Sequence, residues 1–571
     1  MTASQEPLSL PDDLTLRTVR LGPLPLINQF LERLRIAEHF DRFVPSRDRR
    51  TRVPYASRLG VLLRSILVER DPIYRQQETV STYAPSAFGI EPQMMRSLGD
   101  DAMGRALDRL FDADRGSLLT EIVVTAGDEF DLSFDELHND STSIRFCGKY
   151  AGAGSSIRGK KPPWITHGYS KDHRPDLKQL LFVMTTTRDG GVPAQFRCED
   201  GHASDSRTHE ETWDSLRHIT GRSDFLYVAD SKLCSADPMD YIHDHGGRFV
   251  TVMPRSRQED QRFREWVQTH EPDWDLLWDR PHPRRKGGTR DRWWTFRDPI
   301  PSREAWPIVW VYSSLLKVRQ GRQRHERIAR AEQELQDLDE VLAGKRPRLR
   351  KREQVQERVD RILRKRTVAR YVAVEIYARD EHKYRQVGPG RPTGKTRYRR
   401  KTTRRWRVRW SLDQEKIEYD RRSDGMYPLL TNDRALSPEQ VLEAHKRQPT
   451  IEKRFQQTKT VLEIAPVFLK NPGRVEAIFF LFFLALLVHA LIERELRRAM
   501  KHHGVEHLPL YPEERITQRP TAEQILRLYA LLEHHDLLVD GRVVRSFKPQ
   551  LTQLQRQVLQ LLQIPHDTYQ A

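Results

Sequence analysis

DLSFDELHNDSTSIRF, residues 131–146, is the stretch on which the fold turns. Apolar and polar residues alternate along it, the period of a strand. Upstream the period is different. INQFLERLRIAEHF, SRLGVLLRSILVE and DDAMGRALDRLFDADRGSLLTEIV repeat apolar residues at spacings of three and four, the period of helices. An all-helical domain is therefore expected over residues 1–130, with a different architecture from 131. Downstream, LKQLLFVMTTT and VPAQFRCEDG flank Asp189-Gly190-Gly191 and read as a hairpin. HEETWDSLRHIT reads as a short helix, and DFLYVADSKL and RFVTVMPRS as two more strands. Three strands, a helix, then two strands and a further helix make a mixed α/β core, expected over 131–255.

The composition shifts over 256–435. Trp274, Trp278, Trp293, Trp294, Trp306, Trp310, Trp406 and Trp410 lie there. WPIVWVYSSLL, RYVAVEIYARD, RRWRVRWSL and GMYPLLTN read as strands. Between the first two runs a highly charged stretch with helix-period apolar residues and a break at Gly344–Pro347, which reads as a two-helix arm. This region is expected to be a β-rich insertion. Ser437-Pro438-Glu439-Gln440 then opens a helix: serine caps, proline suits the first turn, and glutamine completes a capping box. Pro449 forbids an unbroken helix from 438 onward. The second part of the core is expected over 436–500. TAEQILRLYALLEHHDLL and QLQRQVLQLLQ make 501–571 a helical tail.

The 571 residues are too many for one core. Lys plus Arg exceeds Asp plus Glu by 17, and the pI is about 9.7. That balance bears on partners, polyanions first. Cys147, Cys198 and Cys234 show neither paired nor zinc-ligand spacing, which fits a reducing, cytoplasmic setting. The N-terminus lacks the basic start and apolar run of a signal peptide. VEAIFFLFFLALLVHALI (475–492) looks membranous, but its uninterrupted apolar run is only Ala477–Val488. That is short of the roughly 20 residues a span needs. A fully buried core helix is expected, and no membrane partner.

Cutting a phosphodiester asks a poor nucleophile to attack an anion. Two divalent ions solve this, one at the attacking and one at the leaving oxygen. Magnesium takes hard oxygen ligands, so carboxylates converging from separate elements are the feature to seek. Asp140 sits in the alternating run, and Asp230 ends the apolar strand FLYVAD. Acidic residues in such strands are costly unless they bind something. Glu452 and Lys459 stand seven apart in PTIEKRFQQTK, on one helix face, with Phe455 between. Strand-end aspartates also cap turns, and spacing alone does not link the three acids.

In order along the chain, NDSTSIRF, HGYSKDHRPDLKQL, YVADSKL, DGMYPLLTND, IEKRFQQTK and PVFLKNPGRVEAIFFLFFLALLVHALIEREL resemble the DDE transposases of bacterial insertion sequences. The resemblance is to the subgroup with a Tyr-x2-Arg-x3-Glu-x6-Lys signature and an extra N-terminal helical domain, which GPLPLINQFLERL and GDDAMGRALDRL resemble. It spans about residues 20–500. It implies an RNase H-like core interrupted by the insertion, with Asp140, Asp230 and Glu452 holding two magnesium or manganese ions and Lys459 beside them. It further implies cleavage at terminal inverted repeats, transfer of the freed 3′-hydroxyls to target DNA, a homodimer on DNA, and a nucleoid-associated bacterial setting. The signature's Arg and Tyr fall on Gln448 and His445 here, with Arg447 one residue off. Arg447 or Lys446 is the alternative source of that charge. Relatives with such an insertion stabilise a flipped base on an aromatic residue, a role open to Trp293 and Trp294; packing in a small β-core is the other reading. A DNA-gripping relative that does not cut, and a nuclease without strand transfer, are the competing functions.

The basic run GPGRPTGKTRYRRKTTRRWRVRW includes Arg391, Lys395, Arg397, Arg399, Arg400, Lys401, Arg404 and Arg405, interleaved with Tyr398, Trp406 and Trp410. Such a run neutralises phosphates, or is a solvated loop before a strand. His167, Lys171, His173 and Arg174 form a second basic cluster, for DNA or for a turn.

Overall fold

The computed structural model describes residues 14–46, 52–150, 154–169, 174–203, 208–281, 290–344, 348–464 and 469–570. Lys171 and His173 lie outside them. The protein is mixed α/β and divides into two compact units. Unit 1 holds residues 1–251, 431–433 and 443–571; unit 2 holds 252–430 and 434–442.

In unit 1, β1 (Thr15–Arg20) leads into α1 (Leu24–Arg33), α2 (Ile36–Phe43), α3 (Tyr55–Val68), α4 (Gln76–Ser81), α5 (Asp100–Asp112) and α6 (Arg115–Phe130). The helix-period stretches are thus helices, but they share a unit with the strands that follow. Those strands are β2 (Glu136–Phe146), β3 (Lys178–Thr187) and β4 (Pro193–Glu199), then α7 (Thr208–Thr220), β5 (Leu226–Ala229), α8 (Ala236–Asp244) and β6 (Arg248–Val252). The sheet order is β4-β3-β2-β5-β6. β3 is antiparallel to β2 and β4, while β5 runs parallel to β2 and β6 parallel to β5. Gly190 and Gly191 take positive φ (76° and 60°) in the β3–β4 turn, as a tight hairpin requires.

In unit 2, α9 (Gln258–Trp266) precedes β7 (Asp275–Pro281), β8 (Arg290–Arg297) and β9 (Ile308–Ser313). The helical arm is α10 (Ser314–Ala343) and α11 (Arg352–Arg366). β10 (Val372–Gln386) and β11 (Tyr398–Leu412) form a two-stranded ribbon, followed by α12 (Gln414–Arg422) and β12 (Met426–Thr431). β7, β8, β9 and β12 are antiparallel neighbours in that order. The arm and the ribbon's base share an apolar core of Ile328, Leu335, Leu342, Val355, Val359, Val372 and Val408.

Beyond Pro438–Arg447 (α13) lie α14 (Pro449–Gln456) and α15 (Pro472–His502). The capping box at Ser437 forms: the Gln440 N–H donates to Ser437 Oγ, and the Ser437 N–H to Gln440 Oε1. α15 is long and apolar enough to cross a membrane, yet 89% of its most apolar window is buried inside the fold. Phe479 and Phe483 pack on Phe182 and Phe196 of β3 and β4, with ring centroids 6.0 and 4.8 Å apart. It is a core helix.

The tail departs from the helical expectation. After α16 (Ala522–Arg527) come β13 (Glu533–Val539) and β14 (Arg542–Phe547), then α17 (Gln553–Leu561). β1 pairs antiparallel with β13, giving a three-stranded sheet. Leu526–Leu532 therefore does not continue a helix into LLEHHDLL. β14 is exposed along its whole length, so no apolar alternation marked it.

His489 of α15 is buried, and neither ring nitrogen has a hydrogen-bond partner among the described residues. Burial lowers its pKa to about 4. The unfolded chain takes up this proton near pH 6.5 and the folded chain does not. The stability it carries is present above pH 6.5 and is lost as the pH falls through 4, at about 1.4 kcal/mol per pH unit. His489→Leu should flatten the pH dependence of urea-unfolding free energy by about that slope between pH 6.5 and 4; parallel profiles for variant and wild type would refute the assignment.

Candidate functional site

β2 is buried along most of its length, with Asp140 half-exposed at its centre and Arg145 exposed near its end. An acid at the centre of a sheet is costly without a partner or ligand. The Ser141 N–H donates to Asp140 Oδ1 at 2.7 Å. β2 and β5 pair in parallel as Glu136 with Leu226, Leu137 with Tyr227 and His138 with Val228. Two residues further along each chain stand Asp140 and Asp230. The pairing ends there; the same register continued two residues would set Asp140 and Asp230 at the same level and on the same face of strands about 4.8 Å apart. Asp230 directly follows β5 and is half-exposed. Its Oδ1 accepts from the Lys232 N–H at 3.0 Å, and its carbonyl from Thr251 Oγ1 at 2.7 Å. These bonds fix both carboxylates on rigid backbone.

α14 packs on β2 and β3. Pro449 has no N–H for the His445 carbonyl, and the Gln448 N–H takes that carbonyl instead at 3.2 Å. So α13 ends at Arg447 and α14 starts at Pro449, as the proline requires. Three side chains anchor α14. Gln448 Nε2 donates to the Asn139 carbonyl, beside Asp140, at 2.9 Å. Arg447 donates to both oxygens of Glu136 (3.0 and 2.9 Å) and to Glu443 (2.6 Å). Arg454, buried, donates to the Gly191 and Gly190 carbonyls of the β3–β4 turn (2.9 and 2.6 Å) and to Glu493 of α15 (2.8 Å). Glu452 is exposed one turn beyond Gln448, and no hydrogen bond or ion pair engages it among the described residues.

Lys459 does not lie on a regular helix with Glu452. Gln457–Val461 forms a π-turn, closed by the Leu462 N–H on the Gln457 carbonyl. The wider turn rotates Lys459 away from the position seven-residue spacing implies. Arg447 is engaged by two carboxylates. Burial opposes the charge on Glu136, but His138 (2.9 Å) and Arg447 outweigh it and hold that carboxyl below its ordinary value. His445 is half-buried, and desolvation, with Lys446 and His138 nearby, lowers its pKa to about 3.

Asp140 and Asp230 each stand two residues beyond the last paired positions of two neighbouring parallel strands, and Glu452 lies on the helix packed against β2 and β3. Their oxygen donors suit a hard cation. Among the described residues no three His, Cys, Asp or Glu side chains gather closely enough to hold a metal ion.

Arg174 is paired with Asp176 at 2.8 and 2.7 Å, and His167 is exposed. Trp294, on β8, packs against Tyr312 with ring centroids 4.9 Å apart, and Trp293 stands opposite Ser313 of β9. Arg391 and Lys395 lie in the exposed connection between β10 and β11, with Arg397 at its end. Arg399, Arg400, Lys401, Arg404 and Arg405 lie on β11. So the basic run is mostly strand rather than loop. Glu136 and Arg454 carry no motif in the sequence; the alternation ELHND, which puts Glu136, His138 and Asp140 on one face, is the available signal for the first.

A family model described as a domain of unknown function, DUF4277, matches residues 16–124. No curated protein matches the chain. Among solved structures, the cryo-EM structure of a piggyBac transposase synaptic complex with hairpin DNA is similar at 12% identity and a TM-score of 0.25. That match covers 52% of this chain and 63%, less than two thirds, of the other.

Proposed function

We propose that the protein is a DNA transposase that cleaves at the terminal inverted repeats of an insertion sequence and joins the freed 3′-hydroxyls to target DNA. The observation that carries this reading is the parallel register of β2 and β5, which continued two residues would set Asp140 and Asp230 side by side on one face. The strand order supports it. In β4-β3-β2-β5-β6, β3 alone runs against the other four, the arrangement expected of an RNase H-like core. The crevice at the carboxyl end of β5, a strand parallel to β2, is where open α/β sheets bind ligands.

Asp140, Asp230 and Glu452 would hold two magnesium or manganese ions, which supply activation of the attacking hydroxyl and stabilisation of the leaving oxygen. The backbone N–H bonds at Ser141 and Lys232 orient the two aspartates. Arg454, Gln448 and Arg447 hold α14, and with it Glu452, across β2. Water attacks the phosphodiester at the element's end and a 3′-hydroxyl leaves. That hydroxyl then attacks a target phosphodiester, forming one P–O bond as another breaks. Synapsis of two ends calls for two copies of the chain on DNA.

The test is incubation of the full chain and magnesium with DNA bearing the inverted repeats that flank its reading frame. Metal-dependent nicks at the repeat ends and joined products are expected. Binding without metal-dependent cleavage would assign a DNA-gripping relative instead, and cleavage without joining would assign a plain nuclease.

A further inference from the structure

The β10–β11 ribbon carries two like-charged rungs at its tip. The register sets Lys383 directly opposite Lys401, and Arg385 directly opposite Arg399. Residues two apart share a face, so four cations stand on one face, the two rungs about 7 Å apart. Like charges directly opposite weaken a ladder. No hydrogen bond or ion pair engages any of these four side chains among the described residues. The ribbon's base is different. Arg404 is paired with Asp380, Arg405 with Glu381, Arg407 with Asp339 and Arg409 with Glu375. Cations near the arm are neutralised internally, and those at the tip are left for something else. The opposite face of the tip holds Tyr384 opposite Arg400 and Gln386 opposite Tyr398. Tyr384 is 64% and Tyr398 50% exposed, an aromatic surface open to solvent.

A ribbon of two strands fits the major groove of B-form DNA, whose width admits it, and whose walls carry about one phosphate per 1.7 Å of axis. We infer that the tip of the β10–β11 ribbon is a duplex-DNA docking element, with Lys383, Lys401, Arg385 and Arg399 set against phosphates and Tyr384 and Tyr398 on its other face. The arm core braces the base of the ribbon. This rests on the reading of the chain as one that acts on DNA, but not on its carboxylates.

The test uses the full chain in metal-free buffer and a labelled duplex of arbitrary sequence, read by anisotropy over a salt series. The double variant Lys383→Glu, Arg385→Glu converts both rungs into opposite-charge pairs. Affinity should fall at least about tenfold and the salt slope should become shallower by about two, while the thermal midpoint holds or rises. Arg409→Gln, at the paired base, should bind as wild type does. Unchanged affinity and slope would overturn the inference, and so would a lowered thermal midpoint, or tighter wild-type binding to a single strand than to the duplex. Asp224→Asn, outside the site, should bind normally in this assay. A chain that docks through the tip yet never cleaves therefore fails the catalytic reading alone, and a chain that cleaves with the tip variant binding normally fails only this one.

Discussion

Asp230→Asn and Asp140→Asn should each lower metal-dependent cleavage of end-bearing DNA by about a thousandfold or more, with the fold and duplex binding retained. The size follows from the chemistry. A ligand that loses its charge loses several kcal/mol of transition-state stabilisation, and each 1.36 kcal/mol is about tenfold in rate. Retention of fold follows from the hydrogen bonds. Asp230 Oδ1 accepts from the Lys232 N–H and Asp140 Oδ1 from the Ser141 N–H, and an asparagine Oδ1 accepts both equally well. Asp224→Asn is the control, because Asp224 is an acid just before β5, at the other end of that strand from Asp230, and pairs with Arg222 outside the site. Quantitative nicking assays with circular dichroism decide the matter. Wild-type cleavage by both variants would sink the site assignment. Glu452→Gln then separates the third corner from the first two: loss comparable to the aspartates places Glu452 among the ligands, and near wild-type cleavage sends the search to another acid.

The aspartates were legible because strands advertise themselves. A polar residue in an alternating buried run, and an acid directly after FLYVA, are visible before any pairing is known. Their juxtaposition was not. It depends on the parallel register of β2 and β5, set by contacts between residues some 90 positions apart, and no local pattern encodes that. The C-terminal hairpin was missed for the reverse reason. β14 buries nothing and shows no alternation, but Asp540-Gly541, both at positive φ, was a turn signal on the page. The helical reading of LLEHHDLL outweighed it, and β1, distant in sequence, supplied the pairing that overrode helix propensity. In the ribbon, the basic run was read along one strand only. Lys383 and Arg385 became meaningful once β10 was laid against β11.

Arg454→Met should destabilise unit 1 by about 3–5 kcal/mol, the typical cost of breaking a buried ion pair from one side. Arg454 and Glu493 are both buried and meet at 2.8 Å. Burial alone would raise the Glu493 carboxyl, but Arg454 and Arg497 outweigh it and keep it below its ordinary value. Removing Arg454 leaves an anion in the core with Arg497 at 3.4 Å as its remaining ion pair. The double variant Arg454→Met, Glu493→Gln should then recover much of the loss, since no buried anion remains and Arg497, partly exposed, keeps its bonds to the Pro520 carbonyl. The amide oxygen of the substituted side chain can still accept from Gln457 Nε2 or the Ala522 N–H, which Glu493 Oε1 takes at 2.7 and 3.0 Å. Cleavage should not recover with stability. The bonds from Arg454 to the Gly190 and Gly191 carbonyls are gone in both variants, so α14 loses its tie to the β3–β4 turn and Glu452 its fixed position. Urea unfolding of the two variants, with cleavage measured where both are folded, tests this. A double variant no more stable than Arg454→Met would show that the arginine acts through packing alone, and restored cleavage would show that its bonds to the turn do not position α14.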